Sequence, residues 1–265
     1  MAEAIGFLGL GNLGRPIVSN LMAAGYELAI FNRDTSKVDP FVEQGAVRAT
    51  RPADVVRTGG VVLSLLWDDA SVEAIVHSED FLTRLGGGVH VSMTTLSPEC
   101  SRRLMALHAE HGSVMVEAPI FGRPDAAVAK KLWVVTAGQQ AAKDRVRPIL
   151  EAAGAQGIYD FGEQAGAALA VKLIGNMLII SATASLREGL AVAQRMGVDP
   201  QGVVDMLTTT LFPAPIYQSY GRLIAQGASG GDSAIPAKDV GLFKKLAEAL
   251  GVPANVSASL LSLYE

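Results

Sequence analysis

Lys172 and Asn176 are the first pair in this chain whose types and spacing suggest a reaction. Four residues apart, they share one face of any helix that contains them. Their neighbours Leu169, Val171, Leu173, Ile174, Met177, Leu178 and Ile179 are all apolar. Two readings follow. One is an exposed lysine near the start of a helix, the commoner place for a lysine. The other is a lysine facing a cleft, where partial dehydration lowers a lysine's pKa toward working pH and lets it hand a proton to a carbonyl oxygen. Asn176 would then orient that oxygen or the lysine.

A second group has more specific spacing. Gly9-Leu10-Gly11-Asn12-Leu13-Gly14 fits G-x-G-x-x-G and lies between an apolar run and a helical pattern. In that context Gly9 permits the tight turn, Gly11 lets backbone approach a pyrophosphate, and Gly14 lets helix and strand pack closely. Asn12 and Leu13 complete the loop, with the helix N-terminus toward the anion. The next strand ends Phe31-Asn32-Arg33, where an acidic residue would bond the ribose hydroxyls of NAD. Arg33 instead offers a planar cation for a 2'-phosphate, so NADP(H) is preferred. NAD(H) stays possible, because a one-residue shift would aim Asp34 at the ribose. Lys37 is either a further charge for the phosphate or a solvated surface lysine.

Leu65-Leu66-Trp67-Asp68-Asp69 leaves a strand where a dinucleotide crosses the sheet. Leu66 and Trp67 are therefore candidate contacts for the nicotinamide half, and the same turn also suits an Asp capping the next helix. His108 and His111 lie three apart without a third ligand nearby in sequence, and no metal is expected. Phe212, Tyr217 and Tyr220 beside prolines suit either a pocket wall or core and interface.

The elements that must position these residues follow from periodicity. Ala4 to Leu8, Glu27 to Phe31, Val61 to Leu65, Val89 to Ser92, Val114 to Val116 and Leu132 to Thr136 read as strands. Arg15 to Ala24, Ser97 to His111 and Ala141 to Ala153 read as helices. This alternation predicts an α/β fold with an N-terminal Rossmann-type, doubly wound parallel sheet over residues 1–160. A long helix from Gly166 to Met196 leads into a C-terminal all-α domain, residues 161–265. That helix should break before Gly197, and the next should start at Asp199-Pro200. Pro213 and Pro215 interrupt the helical domain, and Gln226 to Pro236 reads as a polar, glycine-rich loop.

Composition narrows the partners. With 22 Lys+Arg against 26 Asp+Glu and a net charge of -4, the chain carries no electrostatic footprint for nucleic acid or an anionic membrane. A single cysteine, Cys100, neither needs nor suggests an oxidising compartment, so a cytoplasmic location is expected. The apolar start lacks the basic region and cleavage site of a signal peptide. The apolar stretch Leu173 to Ala184 reads as too short and too polar to cross a bilayer.

Along its whole length the chain resembles the beta-hydroxyacid dehydrogenases, which include 3-hydroxyisobutyrate dehydrogenase and the glyoxylate and succinic semialdehyde reductases. Four segments carry the resemblance: Gly6 to Gly14, Val91 to Pro98, Glu117 to Gly122, and Gly166 through Lys172 to Asn176. It implies Lys172 as general acid or base and Asn176 as a substrate-holding residue. It also places Thr94 and Thr95 beside substrate and nicotinamide, with Lys238 of the Lys238-Asp239 pair near the cofactor. Phe121, Gly122 and Arg123 match the segment that binds the substrate carboxylate. Homodimers or homotetramers through the helical domain are implied as well.

This chain departs from the family's Ala-Pro-Val-Ser-Gly-Gly run. Phe121 stands at the serine and Arg123 at the second glycine, so the usual carboxylate cradle is not copied. Arg123 is either a replacement clamp or a surface residue. Ala168 replaces the second glycine of the entry to the long helix. The substrate implied is a small carbonyl compound or hydroxyacid. The rival readings are an imine reductase or reductive aminase, suggested by Phe121, and a non-catalytic NADP-binding or scaffolding protein, which should have lost Lys172.

Overall fold

The computed structural model describes residues 4–227 and 234–264, so the centre of the loop expected over Gln226–Pro236 lies outside the described residues. The chain divides into two compact units, Met1–Lys172 and Leu173–Glu265.

In the first unit, strands β1 (Ile5–Leu8), β2 (Leu28–Phe31), β3 (Val47–Arg48), β4 (Val61–Ser64), β5 (Val89–Ser92) and β6 (Val114–Glu117) form a six-stranded sheet, order β3-β2-β1-β4-β5-β6. Every pairing in it is parallel. The central strands β1, β4 and β5 are short and buried on both faces, which is why they read as apolar runs and not as alternating ones. Around the sheet lie α1 (Gly14–Ala23), α2 (Asp39–Val42), α3 (Asp69–Val76), α4 (Phe81–Leu85) and α5 (Pro98–Glu110). Successive residues of β1 feed different cores: Phe7 packs with Ile17 and Leu21 of α1, whereas Leu8 packs with Leu85 and Leu104. The order reverses between β1 and β4, the place where open α/β sheets receive ligands.

Leu132 to Thr136 does form a strand, but not in the parallel sheet where the alternation placed it. With β7 (Ile120–Phe121) and β9 (Ala155–Asp160), this strand, β8 (Leu132–Thr136), makes a separate three-stranded sheet. The chain between β6 and β8 holds only β7 and the short helix α6 (Pro124–Val128). A full crossover helix is absent from that connection, and β8 runs antiparallel to β7. β9 follows α7 (Gln140–Ala153) and was not expected, because its sequence is half polar and contains Gly157. A Cβ at Gly157 would meet the Trp133 ring at 2.4 Å, so the glycine is a packing requirement.

Buried polar groups tie the first unit together. Asn20 of α1 donates to the carbonyls of Ala127 and Ala153. Lys143 of α7 meets Asp160 of β9. His108 is buried in α5; its Nδ1 lies 2.7 Å from the Leu104 carbonyl and its Nε2 3.1 Å from Nδ1 of His90, whose Nε2 meets the Ser64 hydroxyl at 2.8 Å. Because a carbonyl only accepts, the chain of bonds is consistent with one tautomer for each neutral ring, with the Ser64 hydroxyl donating at the far end. His111 bonds the Leu107 carbonyl instead.

Helix α8 (Ala167–Arg195) begins in the first unit and continues into the second. There α9 (Pro200–Thr209), α10 (Pro215–Ala225), α11 (Ala234–Ala249) and α12 (Asn255–Leu261) follow. Asp199 caps α9 through the N–H groups of Gln201 and Gly202, and Pro215 occupies the first turn of α10, where a missing N–H is harmless. Ile180, Val240 and Leu260 join α8, α11 and α12 in a small core, and Gly221 of α10 lets Val204 of α9 approach. By length and composition α8 is apolar enough to cross a membrane, which the stretch Leu173 to Ala184 alone did not suggest; 28% of its most apolar window is buried.

Candidate active site

The glycine loop joins β1 to α1. Gly9 has φ +102°, and a Cβ there would strike the Leu65 carbonyl at 2.3 Å; one at Gly14 would strike the Gly9 carbonyl at 2.1 Å. Gly11 faces open space, and both it and Asn12 are exposed. Leu13 precedes α1 without a side-chain cap, and the first turn contains no acidic residue. The loop is thus closed where it packs and open where an anion would meet the helix N-terminus, an arrangement that fits a dinucleotide pyrophosphate.

The neighbouring strand ends complete this cradle. Asn32 accepts the Leu10 N–H through Oδ1 and donates to the Asp34 carbonyl, locking the loop to the end of β2. Arg33 is exposed at this end. Asp34 is occupied locally: its carboxylate accepts from the N–H and hydroxyl of Ser36 and pairs with Lys37 at 3.7 Å. The Ser36 hydroxyl bond lowers its pKa. Arg15, Asp34, Ser36, Lys37, Pro40 and Phe41 line a cavity of about 600 Å³ here.

Beyond β4, Leu66 donates its N–H to the Thr94 hydroxyl, and its side chain lies against Gly9. Gly9, Leu66 and Thr94 are therefore in one place. Trp67 is 45% exposed beside them, and Asp68 caps α3 through Ser71, the helix-capping use that the turn's sequence suggested. Thr95 is half-buried, next to the turn that Ser97 ties to Asp69 before α5.

Lys172 is 8% exposed, which decides against the exposed-lysine reading. Its ammonium lies 4.2 Å from the centroid of the Phe121 ring. Phe121 packs with Val135, Ala137, Ala168 and Val171, and its place opposite Trp133 on β8 fixes its direction. Gly122 has φ +141° and abuts Leu132, whereas Arg123 is exposed and pairs with Asp125 at 3.7 Å.

Glu117 was not singled out by sequence. It ends β6 fully buried and accepts hydrogen bonds from the Ser101 hydroxyl and from the N–H groups of Gly166 and Ala168 at the entry to α8. Burial raises its pKa, against the opposing effect of those bonds. The signal available was a lone charge ending the apolar run Val114 to Val116. In the second unit Asn176 donates through Nδ2 to Asp239 at 2.6 Å, and Asp239 pairs with Lys238 at 2.9 Å. Asp239, 3% exposed, is a second residue whose part was not foreseen.

Residues 4–162 match the family described as the NAD binding domain of 6-phosphogluconate dehydrogenase. Residues 166–265 match that described as NAD-binding of NADP-dependent 3-hydroxyisobutyrate dehydrogenase. The chain is 36% identical to the oxidoreductase YfjR of Bacillus subtilis over 97% of its own length and 91% of that protein's. Its structure is similar to 3-hydroxyisobutyrate dehydrogenase of Mycobacterium tuberculosis with L-serine, with TM-score 0.85 and 26% identity, covering 100% of this chain and 93% of that one. A reductive aminase from Aspergillus terreus, with TM-score 0.71 and 22% identity over 99% and 92% of the two chains, shares the fold.

Proposed function

This chain belongs to the beta-hydroxyacid dehydrogenase family of NAD(P)-dependent oxidoreductases, and from that premise we propose that it interconverts a small carbonyl compound and its alcohol, prefers NADP(H), and uses Lys172 as general acid and base. The observation that carries this reading is the burial of Lys172 with its ammonium 4.2 Å from the centroid of the Phe121 ring. A buried lysine is held either by a structural ion pair, as Lys143 is by Asp160, or for a task of its proton, and the second is the reading for Lys172.

Bound NADP(H) supplies or accepts the hydride. The residues that would hold it are Gly9, Gly11, Asn12, Leu13 and Gly14 at the pyrophosphate, Leu66, Trp67 and Thr94 toward the nicotinamide, and Lys238. Arg33 would take the 2'-phosphate, and the engagement of Asp34 within its own turn supports the NADP preference. As the substrate oxygen gains charge, Lys172 Nζ delivers a proton to it; in the reverse direction the same nitrogen removes the proton from the alcohol. Thr95 and Asn176 hold the substrate, the latter braced by Asp239. Association of helical units into a dimer or tetramer belongs to the same reading, supported by Ile174, Leu178 and Val192, apolar residues that α8 leaves exposed.

Imine reduction is the second reading, favoured by the aromatic ring beside the lysine. NADPH oxidation followed by absorbance against glyoxylate, succinic semialdehyde, an uncharged aldehyde and a cyclic imine separates the two. Lys172→Ala is expected to lower kcat on the carbonyl by about a hundred-fold or more while leaving NADPH affinity in place. Loss of both together would count against the assigned role, and turnover of the imine alone would transfer the function to C=N reduction.

A further inference from the structure

Resting on the carbonyl-reduction reading, we infer that Phe121 is a specificity residue: it selects a substrate whose reacting carbon carries an uncharged substituent, and disfavours one carrying a carboxylate there. The ring stands 4.2 Å from Lys172 Nζ, the atom that handles the substrate's proton, so whatever group flanks the reacting carbon on that side meets the ring. Its position is built in. β7 pairs with β8 in a register that sets Phe121 opposite Trp133, Gly122 turns the chain at a φ of +141° against Leu132, and the ring packs on Val135, Ala168 and Val171.

An aromatic face carries the negative part of the ring quadrupole. It attracts the ammonium already seated over it and repels a second, anionic group. A carboxylate at this wall would lose hydration without gaining a donor from the phenylalanine, whereas an alkyl, aryl or ester group loses little. Arg123, the nearest cation in sequence, is exposed and engaged with Asp125 in place of a clamp beside the ring.

The test compares glyoxylate with its methyl ester as NADPH-dependent substrates of the wild-type protein and of Phe121→Ser. The ester should show a kcat/KM at least about ten-fold higher in the wild type, equivalent to about 1.4 kcal/mol, and Phe121→Ser should reverse or abolish that ratio. A wild-type preference for glyoxylate, or an ester preference that the substitution leaves unmoved, overturns the inference. Calorimetric titration of the NADPH-bound wild type with the corresponding alcohols, glycolate and methyl glycolate, is independent of turnover. Tighter binding of the ester supports the inference, and tighter binding of glycolate overturns it. If neither carbonyl is reduced, the wider panel of aldehydes decides the carbonyl reading, and the titration still decides the selectivity.

Discussion

The Glu117 carboxylate accepts a hydrogen bond from the backbone N–H of Gly166, 49 residues further along the chain, and so joins the end of β6 to the entry of the helix that carries Lys172. The same carboxylate takes the Ala168 N–H at 3.1 Å and the Ser101 hydroxyl. Removing it leaves buried donors without partners. Glu117→Ala is therefore expected to destabilise the protein by about 2–4 kcal/mol, and Glu117→Gln, which keeps one carbonyl oxygen, by about half as much. Urea unfolding measures both; an alanine variant within about 0.5 kcal/mol of wild type would show that the contact is incidental.

Cofactor choice is expected to depend on Arg33. Asp34 is engaged within its own turn by Ser36 and Lys37, while Arg33 is exposed beside it. Arg33→Ser should reduce kcat/KM for NADPH about ten-fold or more, the worth of a charge-assisted contact, with NADH nearly unchanged. Equal loss with both cofactors would argue that Arg33 serves the fold instead.

The paired imidazoles predict a stability that depends on pH. Burial, opposed by the bond to the Leu104 carbonyl, lowers the His108 pKa to about 4, and burial followed by the charge of His108 holds His90 well below its usual value. A histidine depressed in the folded state binds its proton more readily when unfolded. Its contribution is therefore intact above about pH 6.5 and is lost as pH falls toward about 4. Between about pH 7 and pH 5 the loss from His108 is about 2 kcal/mol. Glu117, with its raised pKa, acts in the opposite direction. The stability difference between wild type and His108→Gln cancels that contribution; it should shrink over this interval, and a constant difference would refute the assignment.

Much of this arrangement was legible because it rests on local rules. Gly9, Gly11 and Gly14 follow from spacing between a strand and a helix, and the parallel strands follow from apolar runs buried on both faces. What escaped depends on partners far away in sequence. β8 has the composition of a strand, but the short connection through α6 decides which sheet it joins. β9 owes its place to pairing with β8 and to the room Gly157 leaves for Trp133. Glu117 and Asp239 look like ordinary acidic residues until folding sets Gly166 against the first and Asn176 against the second. Lys172 could be told from a surface lysine by resemblance, whereas its burial against Phe121 is visible only in three dimensions.

Anchoring α8 at Gly166 makes the interval from there to Lys172 a ruler. The anchor end is fixed in translation by Glu117 and in conformation by the φ of +91° at Gly166, where a Cβ would meet Pro98 at 2.8 Å. An insertion or deletion of one residue inside this interval would swing Nζ by about 100° around the helix axis and shift it by about 1.5 Å along it, taking the amine away from the ring while leaving the composition of the segment almost unchanged. Natural variation in chain length should therefore avoid this stretch and accumulate elsewhere, so that register, more than side-chain identity between the two ends, is what descent has to preserve.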